Sequence, residues 1–121
     1  MIHFEADQPS QIFTLTYSGD VRGEELSCVV EEIKSLIEEM KPGFRLLTDL
    51  GKLVSMEPSC AVSIVEIMKL ADERGVAEVV RVVPDAQKDI GFMVMSRFHY
   101  KPSVRLLTYE NLQDALESLS S

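Results

Sequence analysis

The chemistry indicated most clearly by this sequence lies at one serine, Ser59, in the run of residues 48–60. The run opens as the end of an apolar strand predicted over residues 44–50, and Pro58 near its close is typical of the first turn of a helix. Ser59 would then lie at a loop-to-helix corner, where backbone N–H groups lack intrahelical partners and the helix dipole favours negative charge. We therefore expect this corner to accommodate a phosphate on Ser59.

The serines and the carboxylate of this corner also have simpler interpretations. Ser59 can serve only to satisfy the N-terminus of the helix, as serines commonly do. Alternatively, Ser55 is the N-cap and Glu57 is a carboxylate in the first helical turn. Ser63, one turn beyond Ser59, is interpreted as a surface residue of the same helix.

Two further residues of the run have both a chemical and a structural interpretation. Cys60, near a helix N-terminus, would act as a redox sensor if its pKa were lowered there. A lone cysteine is more often a small core residue. Asp49 would orient the loop or bind a cation, whereas its structural interpretation is a polar strand end in a turn.

Length, composition and charge limit the classes of protein that this chain can be. At 121 residues it is long enough for one hydrophobic core, and we expect a single domain over residues 1–121. A net charge of −8 argues against nucleic acid and an anionic membrane surface as partners. The absence of a signal-peptide pattern and of an apolar run of about 18 residues predicts a soluble, cytoplasmic protein.

The residues that carry chemistry in enzymes do not form a recognisable pattern in this sequence. Its two cysteines are expected to stay reduced, and its two histidines lie too far apart for a metal site. No pairing of a nucleophile with a base and no phosphate-binding glycine loop is visible. We therefore predict a protein that is not an enzyme and needs no cofactor.

Strand and helix periodicities alternate along the chain and predict how the corner is positioned. The predicted strands cover residues 2–6, 12–17, 44–50, 79–83 and 104–108, and the predicted helices cover residues 23–40, 58–74, 84–98 and 110–119. This order, β-β-α-β-α-β-α-β-α, predicts an α/β fold with a mixed sheet of about five strands and four helices. The apolar run 79–83 is expected to be a central strand that is buried on both faces. Functional loops gather at the carboxyl ends of parallel strands, and the predicted loop from Asp49 to Ser59 leaves such an end.

The same run carries a family resemblance that extends over nearly the whole chain. STAS domains, and among them the bacterial anti-sigma factor antagonists, share this element order. They carry an Asp/Asn-Leu stretch, an apolar residue and then Met/Ile-Asp-Ser-Ser/Thr-Gly between the third strand and the second helix. Asp49-Leu50, Leu53 and the run 56–60 (MEPSC) match that register without a gap. The chain therefore resembles a divergent STAS domain, and the family's phosphorylated serine or threonine falls on Ser59.

The departures from the family pattern fall on the loops that face partners. Glu57, Pro58 and Cys60 replace the family's aspartate, first serine and glycine. The family's Gly-Glu-Leu-Asp segment after the second strand reads GDVR at residues 19–22. The candidate partner contacts are therefore the residues around Ser59 and on this second segment: Asp20, Arg22, Asp49, Lys52, Ser55, Glu57, Cys60 and Ser63.

The resemblance implies a regulatory protein-binding module whose phosphorylation decides whether it binds its kinase. The implied partner is an anti-sigma-type serine kinase or a related regulator, and the module is expected to be a monomer or a weak homodimer. The alternative is a carrier or sensor without phosphorylation, which would hold a small apolar ligand between the sheet and the predicted helix that carries Met93 and Phe98. That alternative requires an apolar cavity of a few hundred Å³.

Overall fold

The computed structural model of the chain describes residues 1–84 and 99–120. Along these two stretches the elements are β1 (Ile2–Asp7), β2 (Ile12–Val21), α1 (Gly23–Glu38), β3 (Arg45–Met56), α2 (Cys60–Glu73), β4 (Glu78–Val82), β5 (Arg105–Tyr109) and α3 (Leu112–Ser120). None of these helices is long and apolar enough to cross a membrane.

The predicted α/β class and five-stranded mixed sheet are confirmed. The strands lie in the order β1-β2-β3-β4-β5. β1 pairs antiparallel with β2, and the pairs β2–β3, β3–β4 and β4–β5 are parallel. Three helices are described where four were predicted, because the helix predicted over residues 84–98 lies almost wholly outside the described residues.

The two faces of the sheet are covered by different helices. The side chains of β2 alternate, so that Phe13, Leu15 and Tyr17 are buried within the larger apolar cluster. The α1 residues Leu26 and Ile33 belong to this cluster, as does the buried stripe of α2. α3 packs on the opposite face in a smaller cluster, which consists of Leu47, Val80, Val82, Ala115 and Leu119.

The run of residues 79–83 is buried on both faces, as predicted. Its strand, β4, is an interior strand but lies beside the middle of the sheet, since β3 is the third of the five strands. The run also contains one charged side chain, Arg81, which is only 1% exposed. Its Nη2 donates a hydrogen bond to Thr108 Oγ1 on β5 at 2.9 Å, which offsets part of the cost of burying a guanidinium.

The third strand corrects the predicted loop between Asp49 and Ser59. β3 continues to Met56, six residues beyond its predicted end. It does so with two bulges against β2, because Tyr17 stands opposite both Leu50 and Gly51, and Val54 has no opposite residue between the pairs Gly19–Leu53 and Asp20–Ser55. The bulged segment has polar residues at exposed positions, so its sequence pattern is that of a loop.

Candidate functional site

The ends of β2 and β3 form one site, because neighbouring parallel strands finish at the same edge of a sheet. We define the corner site as residues 20–23 and 55–60. Several hydrogen bonds join its two segments. Ser55 Oγ donates to Asp20 Oδ1 at 2.5 Å, Glu57 N–H donates to Val21 O at 2.9 Å, and Gly23 N–H donates to Glu57 Oε1 at 2.8 Å. The corner site is therefore a fixed surface rather than a pair of independent loops.

Ser59 is exposed at the start of α2, and its hydroxyl does not cap that helix. Its backbone is already helical, with φ −63° and ψ −16°, and its side chain makes no capping hydrogen bond. Within residues 1–84 and 99–120 no partner accepts from or donates to this hydroxyl. The side chain lies against Gly23, where an added Cβ would be 2.1 Å from Ser59 Oγ. The interpretation of Ser59 as a helix-capping serine is therefore wrong.

Glu57 acts on α1 rather than on α2. Gly23 is the first residue of α1, and the first backbone N–H groups of a helix have no intrahelical partner. The Glu57 carboxylate accepts one of them and places its negative charge at the positive end of the α1 dipole. The prediction that Ser55 caps α2 is wrong, since Ser55 lies on β3 and bonds to Asp20.

Cys60 is a core residue, as its structural interpretation predicted. Only 1% of it is exposed, and its Sγ donates a weak hydrogen bond to Val21 O at 3.8 Å. Burial raises the pKa of the Cys60 thiol, and the nearby Glu57 and Glu25 carboxylates raise this pKa further. A redox sensor needs a lowered pKa and an accessible thiol, so the sensor interpretation is wrong.

Ser63 is buried, which corrects its interpretation as a surface residue. It is 6% exposed and shares a stripe of α2 with Cys60, Ile64 and Ile67. A serine is small enough to occupy such a stripe, and its polarity alone gives no sign of the burial. Ser63 is therefore unavailable as a direct partner contact.

Asp49 and Lys52 lie on β3 instead of on a loop. Asp49 is half-buried, and its Oδ1 accepts a hydrogen bond from Gly51 N–H at 2.8 Å, so it orients the chain at the first bulge. Lys52 is exposed and stands opposite Ser18 on β2. No cluster of His, Cys, Asp or Glu within the described ranges has the arrangement of a metal site.

The exposed candidates of the corner site are Asp20, Arg22, Ser55, Glu57 and Ser59. Arg22 directly precedes Gly23 and makes no capping hydrogen bond at the start of α1. Its exposed side chain adds a cation to the corner site.

Sequence reasoning missed two residues that hold the corner site together, Val21 and Gly23. Val21 supplies the carbonyl that accepts from Glu57 N–H, and Gly23 supplies both an N–H donor and space for Ser59. Gly23 lies 34 residues before Glu57. This contact could have been expected from the predicted topology alone, since the carboxyl ends of two adjacent parallel strands lie side by side.

The described core contains little room for a ligand. A cavity between the sheet and α2, bordered by Tyr17, Thr48, Ile67, Arg81 and Tyr100, measures about 20 Å³. That is space for about one water molecule and far below the few hundred Å³ that a carrier needs. The Met93 and Phe98 side of the predicted ligand site lies outside the described residues.

Solved structures resemble the chain, although no protein-family model and no curated protein matches it. An uncharacterised DUF3478-family protein from Shewanella loihica PV-4 with a SpoIIAA-like fold is 18% identical, with a TM-score of 0.70 over 98% of this chain and 92% of that one. The anti-sigma factor antagonist SpoIIAA in its unphosphorylated form is 10% identical, with a TM-score of 0.68 over 100% and 99%.

A third similar structure contains a regulator bound to an enzyme. It is the complex of the diguanylate cyclase SiaD with its activator SiaC from Pseudomonas aeruginosa, which is 12% identical, with a TM-score of 0.59 over 90% of this chain and 93% of that one. At these identities the likeness concerns the fold. The chain has a SpoIIAA-like fold, which agrees with the fold implied by the resemblance seen in the sequence.

Proposed function

We propose that this chain is a cytoplasmic regulatory protein-binding module, not an enzyme, that docks a partner on the corner site and is switched by phosphorylation of Ser59. The observation that carries the proposal is that Ser59 is exposed and its hydroxyl makes no capping hydrogen bond, although it lies at a helix N-terminus. A kinase can reach such a hydroxyl without unfolding α2.

The fold should tolerate a phosphate at Ser59. The N-terminus of a helix stabilises negative charge by about 0.3–1 kcal/mol when the site is exposed. Glu57 is two residues away and repels a phosphate, but both groups are solvated, so salt and water screen that repulsion. The two effects oppose one another, and the free energy of unfolding should change little.

Partner binding should respond far more strongly. A docked partner would cover Ser59 together with its neighbours Asp20, Glu57 and Arg22, and it would remove water from the phosphate. A desolvated dianion beside two carboxylates would repel an acidic partner. A neutral partner would bind more weakly as well, because the phosphate would lose its hydration on docking. Phosphorylation would therefore release the partner while the module stays folded.

The proposed partner is an anti-sigma-type serine kinase or a related regulator. Proteins of similar fold support a protein partner: SpoIIAA is an anti-sigma factor antagonist that was solved in an unphosphorylated form, and SiaC is the activator of SiaD. The proposed module is a monomer or a weak homodimer. Asp20, Arg22, Ser55 and Glu57 are its proposed contacts around Ser59.

The decisive experiment compares matched serine variants. The partner is first isolated by pull-down with the unmodified protein, and its affinity is then measured for wild type, Ser59→Asp, Ser59→Ala and Ser103→Asp. Ser103 is exposed in the turn before β5, so Ser103→Asp adds the same charge away from the corner site. We expect Ser59→Asp alone to lose at least about tenfold in affinity, which is about 1.4 kcal/mol.

Two outcomes would reject the switch. The first is that Ser59→Asp binds the partner as tightly as Ser59→Ala does. The second is that Ser103→Asp is as damaging as Ser59→Asp, which would indicate a general effect of charge. Intact-mass measurement of the protein from its native cell tests the modification itself.

A further inference from the structure

The face of the sheet that carries α3 is only partly covered. α3 packs over β4 and β5, and its buried residues Ala115 and Leu119 complete the smaller apolar cluster there. The β1–β2 hairpin on the same face lies outside that cluster except for Ile12, which packs against its edge. The other side of this hairpin packs in the larger core, so β2 has one buried and one half-buried face, and β1 has one half-buried and one exposed face.

A groove runs between α3 and this hairpin. Its volume is about 180 Å³. We call it the α3 groove; its sides are formed by Glu5, Asp7, Ile12 and Thr14 of the hairpin and by Leu116 and Leu119 of α3. Leu116 is 49% exposed, and Leu112, one turn before it, is 41% exposed. Two leucines at i and i+4 thus form an apolar ridge that α3 does not bury in the protein.

The negative charge of the α3 groove indicates which kind of partner it would bind. Glu5 and Asp7 are exposed on the hairpin side, Glu117 follows Leu116 on α3, and among the described residues no lysine or arginine lines the groove. Arg45 stands opposite Ile12 at one end and leaves the Glu5–Asp7 side acidic. A second copy of this chain would bring like charges together in a protein of net charge −8, so self-association here is unfavourable.

We propose that the α3 groove binds a basic amphipathic helix of a partner protein. A helix laid beside α3 would complete the helical layer on this face of the sheet, as two-layer packing favours. Its apolar stripe would cover Leu116 and Ile12, and lysines or arginines beside the stripe would lie near Glu5 and Asp7. This surface is separate from the corner site, so it gives the module a second docking position that does not depend on Ser59.

The test uses a labelled helical peptide of about 18 residues, with leucines at i, i+4 spacing on one face and lysines elsewhere. Its affinity is measured by fluorescence anisotropy for wild type and for Leu116→Ser. The scrambled peptide of the same composition, which has no apolar face, is the matched control. Because Leu116 is half-exposed, Leu116→Ser should stay folded, and its melting temperature checks this. We expect it to bind the peptide about tenfold more weakly than wild type, and the scrambled peptide to bind weakly to both.

Charge variants separate the α3 groove from general attraction to an acidic protein. Glu5→Gln/Asp7→Asn removes two carboxylates from the groove, whereas Glu32→Gln/Glu38→Gln removes two exposed carboxylates from α1. We expect only the first pair to weaken binding severalfold and to reduce its salt dependence. Equal effects of the two pairs, or no effect of Leu116→Ser, would overturn the proposal.

Two structural readouts complete the test. Amide shifts in NMR spectra should move around Ile12 and Leu116 when the peptide is added, and those of Ser59 should stay in place. If sedimentation instead shows a dimer of wild type that Leu116→Ser abolishes, a second copy is the occupant and the proposal is wrong.

Discussion

The contact between Gly23 and Ser59 allows a quantitative prediction. A Cβ at position 23 would lie 2.1 Å from Ser59 Oγ and 2.9 Å from Ser59 Cβ, and ordinary contacts of a Cβ begin at 3.4 Å. The hydroxyl can rotate away, but the Cβ moves only with the backbone of α2. Overpacking of this kind costs about 1–3 kcal/mol. Replacing glycine at a tolerant position returns about 0.4–1 kcal/mol, so Gly23→Ala should lower the free energy of unfolding by about 1–2 kcal/mol.

A double-mutant cycle assigns that loss to the contact itself. Ser59→Gly alone should cost a few tenths of a kcal/mol, because the Ser59 side chain makes no capping bond. Gly23→Ala should become neutral or slightly stabilising in the Ser59→Gly background, so the coupling equals the overpacking cost of about 1–3 kcal/mol. Urea denaturation measures all four proteins, and an unchanged m-value shows that only stability has changed. Additivity within about 0.3 kcal/mol, or a Gly23→Ala protein as stable as wild type, would refute the reasoning.

Two further predictions use residues of opposite exposure. The exposed Cys28 thiol should react with a disulfide reagent in the native protein, whereas Cys60 should react only after unfolding because burial shields its thiol and raises the pKa; a native Cys28→Ser protein that still reacts rapidly would contradict this. Ile33→Ala should cost about 2–5 kcal/mol and Glu31→Ala within about 0.5 kcal/mol, since Ile33 is fully buried and Glu31 is exposed. Leu106→Ala should fall between them, because Leu106 is only half-buried on the edge strand β5, and denaturant titration orders the three.

The sequence was sufficient to predict the fold, because periodicity reports burial directly. The alternation of β2 and the stripe of α1 each arise from a face that packs in the larger core. The predicted third strand ended too early, at Leu50, since exposed bulges at Gly51 and Val54 interrupt the alternation that identifies a strand. Local patterns also fail for Ser63, whose small polar side chain is buried.

The candidate site was predictable only in part, because its bonds join distant residues. The exposure of Ser59 agrees with the expectation from its position before α2. The role of Glu57 was assigned to the wrong helix, since a carboxylate in front of one helix in the sequence lies in space at the start of another. Glu57 reaches α1 because the ends of β2 and β3 pack side by side. The spacing of residues within one segment gives no information about that packing.

The two bulges of β3 make this segment sensitive to its length. Side chains alternate along a strand, so a deletion that the bulges do not absorb would turn every later side chain to the opposite face. Ser55 would then leave Asp20, and Glu57 would leave the start of α1, although no residue of either pair had been substituted. Val54 has no opposite residue on β2, so its own deletion would instead remove the second bulge. The position of an insertion or deletion therefore decides its effect in this segment, whereas a surface loop tolerates such changes at most positions.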